Sequence, residues 1–380
     1  MLSFMEKEES KLNNKIEKLA SNILYHSCEI KKDDRVFIEI IGLSGTELLK
    51  ELIKQIYRIG AIPFYELNDI SVLREFMIGC EKNQLKVFFE NKVELVKKMD
   101  AYIIVGAQEN KAEFSDIPYE KMGLYFSEMN KVVEERLKLR YVVLKTPNYG
   151  MAQKMNRSLQ GLEDFFYKVC NMDYTKLEKN LDNLKTLMQK TDKVRIVSEG
   201  TDLSFSIKGM SVVTCAGKKN LPDGEIFTAP IKESVNGHIK YNSTSTYKGI
   251  TFTDVSFEFK DGKIIKSSSN NPSKLEDILN SDDGARYIGE FAIGVNPFII
   301  NCVDDILFDE KISGSIHFTP GQAYDVADNG NKSIIHWDLV LIMKASHGGG
   351  EIYFDDVLIQ KDGLFVLENL KALNPESYVE

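Results

Sequence analysis

The sequence predicts two unlike halves: an N-terminal, mostly parallel α/β domain over residues 1–175 and a C-terminal, antiparallel, β-rich domain over 176–380. Three observations predict it. Through the first half, short apolar runs alternate with longer helical patterns, the signature of parallel strands joined by crossover helices. After an amphipathic stretch that ends at Thr191, the texture changes to short runs in which apolar and polar residues alternate. Two Lys-Asp-Gly stretches, Lys260 to Gly262 and Lys361 to Gly363, then carry hairpin turn chemistry. A length of 380 residues suits two or more domains.

The elements follow in order. RVFIEIIG, Arg35 to Gly42, reads as a strand. TELLKELIKQIYRIG reads as a helix behind a Thr46 cap, because Leu48, Leu49, Leu52, Ile53 and Ile56 recur at helical spacing. AIPFYEL restarts the strand pattern, and AYIIVGA (Ala101 to Ala107) and RYVVLKTP (Arg140 to Pro147) read as strands buried on both faces. Gly161 to Thr191 is helical and bridges the halves. Beyond it KVRIVSEG, TDLSFSIKG, HIKYNST, ITFTDVSFEFK and KIIKSSS are strands.

Composition narrows the function. With 43% hydrophobic and 28% charged residues the chain is an ordinary globular protein. Its net charge is -9 and its lysines are dispersed among acids, which argues against a nucleic-acid surface. The five cysteines are far apart with no CxxC pair, so neither a zinc ribbon nor a disulfide framework is expected. No apolar run approaches the ~18 residues of a membrane span, and the start lacks a signal-peptide core. A cytoplasmic protein with no membrane partner is the expectation. The first half lacks phosphate-cradling GxGxxG and GxxxxGK[ST] elements and is expected to wall a site or to shape an oligomer.

SIIHWDLVLIM, Ser333 to Met343, reads as a buried strand except for His336 and Asp338. Residues two apart share a strand face, so these two converge on one largely apolar place where each needs a partner. A hydrogen-bonded core pair and a metal or catalytic site both satisfy that demand. Four of the five histidines, His238, His317, His336 and His347, fall in this half. Acids flanked by small and apolar residues accompany them: Glu225, Glu290, Asp309, Glu310 and Asp338. Oxygen and nitrogen donors without thiolate suit zinc, cobalt or manganese, and about three carboxylates with two histidines match what two bridged ions need.

EGTDLSFSIKG, NLPDGEIFTAP, ARYIGEFAIG, LFDEKISGSIHFTPGQAY and IHWDLVLI, in that order, resemble the thermophilic metalloaminopeptidase family that includes aminopeptidases T and S. KKDDRVFIEI followed by RIGAIPFYEL is similar to the family's opening strand-helix-strand unit. The resemblance implies a C-terminal catalytic domain holding two divalent ions through Glu225, Glu290, His317, Tyr324, His336 and Asp338. It implies hydrolysis of N-terminal residues from peptides, with a homodimer as the expected assembly. HFTPGQAY departs from the family's usual loop at Pro320 and Gln322, and SHGGGE replaces a more acidic segment, changes that bear on substrate preference. Glu310 is the candidate general base, with Asp309 the candidate partner of an imidazole, and Tyr324 would help hold the oxyanion. The alternatives are a metal-binding protein of the same fold with lost or narrow peptidase activity, or a structural module with satisfied core histidines.

Overall fold

A computed structural model describes residues 2–110 and 112–378. The chain divides into two compact units, residues 1–172 with 217–222, and residues 173–216 with 223–380.

The first unit is the α/β sheet expected from the alternating pattern. Strands β1 (Arg35–Ile41), β2 (Ile62–Asn68), β3 (Ala101–Gly106) and β4 (Arg140–Lys145) run parallel in the order β2-β1-β3-β4, followed by the two-residue strand Asn220–Leu221. The helix Thr46–Ile59 buries Leu48, Leu49, Leu52 and Ile56, and stops at Gly60, whose left-handed backbone returns its N–H to Ile56 and Tyr57. Its first turn differs from expectation. The N-cap position falls on Gly45, and the Thr46 hydroxyl donates to the Leu43 carbonyl at 2.6 Å instead of capping the helix.

The expected single bridge, Gly161 to Thr191, is two helices, Leu159–Cys170 and Tyr174–Lys190. Ser158 Oγ accepts from Gly161 N, and Asp173 Oδ1 accepts from Lys176 N. Asp173 thus starts a second helix, and the division between units falls beside it.

The second unit is antiparallel. An eight-stranded sheet orders its strands 263–268, 256–260, 236–240, 201–206, 193–198, 350–354, 357–361 and 364–365. Both Lys-Asp-Gly turns are hairpins within it, with Asp261, Gly262, Asp362 and Gly363 all at positive φ. A five-stranded sheet has the order Val340–Ile342, Ser315–Pro320, Ile288–Gly294, Glu225–Thr228, Val213–Cys215. Phe205 of the larger sheet lies 4.9 Å from Phe291 and 5.1 Å from Phe318 of the smaller one, ring to ring. Burial of each such ring stabilises by roughly 1.5–3 kcal/mol, so one face of the smaller sheet is committed to core. The other face is free to carry chemistry.

Candidate metal centre

Register decides which side chains share that second face. Glu225 pairs with Gly294, Ala292 with His317, Glu290 with Thr319, and His317 with Val340. Alternation then puts Glu225, Glu290, His317 and Thr319 on one side, while Ile226, Phe291, Ile293, Ile316 and Phe318 fill the core. Gly294 and Ala292 are small and leave room between Glu225 and His317.

The strand expected over 333–343 is only partly a ladder. Val340–Ile342 pairs normally, and His336 makes one isolated bridge to Gly321. Pro320, opposite Trp337, has no N–H to donate, so that rung keeps a single bond, Trp337 N to Pro320 O at 3.2 Å. The side-chain phase survives the interruption. Asp338 faces Thr319, whose hydroxyl donates to Asp338 Oδ1 at 2.8 Å.

Five of the residues singled out in the sequence form one chain of contacts. Glu290 lies between the two imidazoles, Oε1 at 3.3 Å from His317 Nε2 and Oε2 at 3.4 Å from His336 Nε2. His336 Nε2 is 3.2 Å from Asp338 Oδ1, and His317 Nε2 is 3.7 Å from Glu225 Oε2. The Tyr324 ring stands 4.8 Å from that of His336 and is half-exposed. Glu310 joins through Lys311, which donates to Glu310 Oε1 at 2.5 Å and to Glu225 Oε1 at 2.8 Å. His238 and His347 lie elsewhere. His238 is on the eight-stranded sheet, and His347 is beside Ser346.

Backbone aims the candidate ligands. A bulge between Ile288 and Glu290 lets Gly289 stand as an extra residue opposite the strand Ser315–Pro320. A Cβ on Gly289 would lie 2.4 Å from the carbonyl oxygens of Gly321 and Gln322, so the loop presses directly on the bulge. His336 Nδ1 meets the Gln322 carbonyl at 2.8 Å, which turns Nε2 toward the carboxylates. The Gln322 side chain accepts from Ser333 N at 2.9 Å, so the residue that departs from the family loop ties down the segment leading to His336.

Asp309 takes a different part from the one expected. Its carboxylate accepts from Val303 N at 2.7 Å and Asp305 N at 3.1 Å, bracing a loop rather than an imidazole. Sequence reasoning also missed Lys311, Asp223, Cys215 and Thr319. Lys311 follows two acids and reads as a solvated charge, yet it is fully enclosed. Asp223 was legible only as a turn residue.

The electrostatics match a site for cations. Burial alone would lower both imidazoles, but facing carboxylates overrule it, raising His317 to about 9 and His336 to about 11. Burial pushes Glu310 up to about 7 and raises Glu225 against the pull of Lys311. Burial opposes ionisation of Asp338 as well, but the His336 charge holds it well below the usual carboxylate range. Among the described residues Glu225 Oε2 has no hydrogen-bond donor, while His336 Nε2 meets the carboxylates of Glu290 and Asp338. An orphaned carboxylate oxygen of this kind is rare in a buried position. Glu290, His317 and Asp338 bring ligand atoms within 4.8 Å of one another. The residues present therefore fit divalent ions.

Carboxylates and imidazoles converging on one sheet face are donors of the kind that a metal-dependent hydrolytic site uses. Residues 12–363 match the thermophilic metalloprotease family, and the chain belongs to it. It is 22% identical to Aminopeptidase PepS of Streptococcus thermophilus over 387 residues, covering 86% of this chain and 91% of that protein. It is 29% identical to Aminopeptidase 2 of Geobacillus stearothermophilus over a stretch spanning 38% of this chain and 37% of that protein. It is also 29% identical to Aminopeptidase T of Thermus aquaticus, over 42% of this chain and 43% of that one. The solved structure of wild-type AmpT from Thermus thermophilus shares the fold, with a TM-score of 0.77 at 19% identity over 93% of this chain and 99% of that one.

Proposed function

We propose that this chain removes the N-terminal residue of peptides, with two divalent cations, zinc, cobalt or manganese, held by Glu225, Glu290, His317, Tyr324, His336 and Asp338. The observation that carries the reading is surplus negative charge in an enclosed place. Asp223, Glu225 and Glu310 surround the Lys311 ammonium, and Glu290 and Asp338 lie against the imidazoles of His317 and His336. With both imidazoles neutral, as metal ligation requires, five carboxylates against one ammonium would leave four negative charges, the charge that two divalent ions offset. Buried charge without compensation costs several kcal/mol per ion, so so acidic a set calls for cations.

Bound there, such ions would polarise a carbonyl oxygen and bring the pKa of a coordinated water near neutrality. The protein's own groups supply the rest. Glu310, with 15% of its side chain exposed, would accept the water's proton and return it to the leaving amine. Tyr324, its phenol kept protonated by local desolvation and the carboxylates around it, stands beside His336 where it would donate to a developing oxyanion. Thr319 holds Asp338, and the Gln322 carbonyl holds His336, so both ligands arrive already oriented.

The reading is tested on a panel of aminoacyl anilides with protein loaded with zinc, cobalt or manganese. Hydrolysis that a chelator abolishes and added metal restores is the expected result. Loaded protein that cleaves none of the panel would sink it. Tight metal content without turnover would leave a metal-binding protein of the same fold, the reading that the altered HFTPGQAY loop favours.

A further inference from the structure

Lys311 is fully enclosed, yet the mechanism above gives it no chemical step. Its position is built by backbone. A Cβ on Gly294 would lie 2.3 Å from the Ile312 carbonyl oxygen, so the 311–312 segment lies flat against the ligand-bearing face. Asn296 N donates to the Lys311 carbonyl at 2.9 Å, and Asn296 Nδ2 donates to the Asp223 carbonyl at 2.6 Å. The lysine is thereby rooted to the turn that carries Asp223 and Glu225.

A second donor set lies beneath the ammonium. Cys215 pairs with Glu225 across the ladder, and ligand atoms of Cys215, Asp223 and Glu225 lie within 4.8 Å of one another. One thiol and two carboxylates would suit zinc or cobalt. Lys311 Nζ occupies that ground, 2.8 Å from Glu225 Oε1 and 3.9 Å from Asp223 Oδ1. Glu225 belongs to both sets. Its Oε1 is taken by the lysine, and its Oε2 is left facing His317.

We propose that Lys311 is a resident cation that closes the Cys215, Asp223 and Glu225 donor set to metal and confines Glu225 to one-oxygen ligation on the His317 side. It acts as a positioning residue, setting where metal goes rather than touching substrate. Without the ammonium, a divalent ion would compensate the same carboxylates. The Cys215 sulfur would then bond the metal and release its proton to solvent. The inference rests on the metal reading for Glu225.

Cobalt titration of the full chain, followed by equilibrium stoichiometry and absorption spectra, tests it without recourse to turnover. The wild type should bind cobalt with no thiolate-to-cobalt charge-transfer absorption in the near ultraviolet. Lys311→Met should take up one further equivalent per chain and gain that absorption, and adding Cys215→Ala should remove it. Where Lys311→Met does not fold, Lys311→Gln, polar but uncharged, carries the same comparison. Wild-type stoichiometry and no new absorption in the folded variant overturn the proposal, as does a thiolate band already present in the wild type. A wild type that binds no cobalt overturns the metal reading itself, and this inference with it.

Discussion

Two charge networks, a half-buried one in the α/β unit and a more enclosed one in the β-rich unit, make opposite use of the same residue types. In the α/β unit, Lys92 Nζ lies 2.6 Å from Glu39 Oε1 and 2.9 Å from Glu66 Oε2. The Tyr102 hydroxyl donates to Glu39 Oε2 at 2.8 Å, and Asn68 Nδ2 donates to Glu66 Oε1 at 2.9 Å. All four carboxylate oxygens are satisfied. In the β-rich unit, Lys311 satisfies part of the set and leaves Glu225 Oε2 without a donor. A closed network fastens a fold, whereas one left open asks for a ligand.

The comparison breaks first at His336. His336→Ala should lower hydrolysis on the order of 10^3-fold or more while circular dichroism stays that of the wild type. Near-wild-type turnover would return the residue to the satisfied core. Chelation comes next. Stripping metal should lower the melting temperature of the wild type, since metal at about a thousand times its dissociation constant stabilises by roughly 4 kcal/mol. An unchanged melting curve would close the second network after all.

Lys92→Met sharpens the contrast from the other side. Removing the cation from two half-buried carboxylates should destabilise by about 1–3 kcal/mol in denaturant titrations, with metal content unaltered. Loss of metal in that variant would erase the distinction. A smaller effect is expected for Thr319→Val, about 10- to 100-fold in metal affinity, because Asp338 loses the hydroxyl that orients it. Equal affinity by titration calorimetry would remove Thr319 from the account.

The smallest expected effect concerns pH. Burial raises the Asp309 carboxyl to about 7, so the folded chain keeps a proton that the unfolded chain has released. That stability is fully present below about pH 4 and is lost as pH rises through 7. Between about pH 5 and 8 the melting temperature of the wild type should therefore fall relative to Asp309→Asn. Parallel curves for the two would acquit Asp309.

How much of this was legible in the sequence depended on whether a residue type is rare in its setting. His336 and Asp338 stand out because a buried strand seldom carries both, and β1, β3 and β4 stand out because apolar runs bounded by helices have few other readings. Lys311 was hidden because lysine beside glutamate is the commonest pattern of a solvated surface. Its burial depends on Gly294 lying opposite, a contact remote in sequence. Thr46 misled for a local reason, since a hydroxyl can donate backward as readily as it accepts forward. The break between 170 and 174 was visible only in Asp173, whose capping role needs the helix after it. No helix among the described residues is long and apolar enough to cross a membrane, in line with the hydropathy of the sequence.

The bulge at Gly289 gives the ligand-bearing face something like a reading frame. Ile288 pairs with Pro320 and Glu290 with Thr319, so the extra residue resets the count just before Glu290. Any single-residue insertion or deletion between Glu290 and Gly294, or between Ser315 and Thr319, would exchange an acid or imidazole for a core phenylalanine or isoleucine, the protein equivalent of a frameshift. Upstream of Gly289 the frame is already broken, and slippage there need not move Glu290. The chain thus confines its tolerance of length change to places where parity is not being counted.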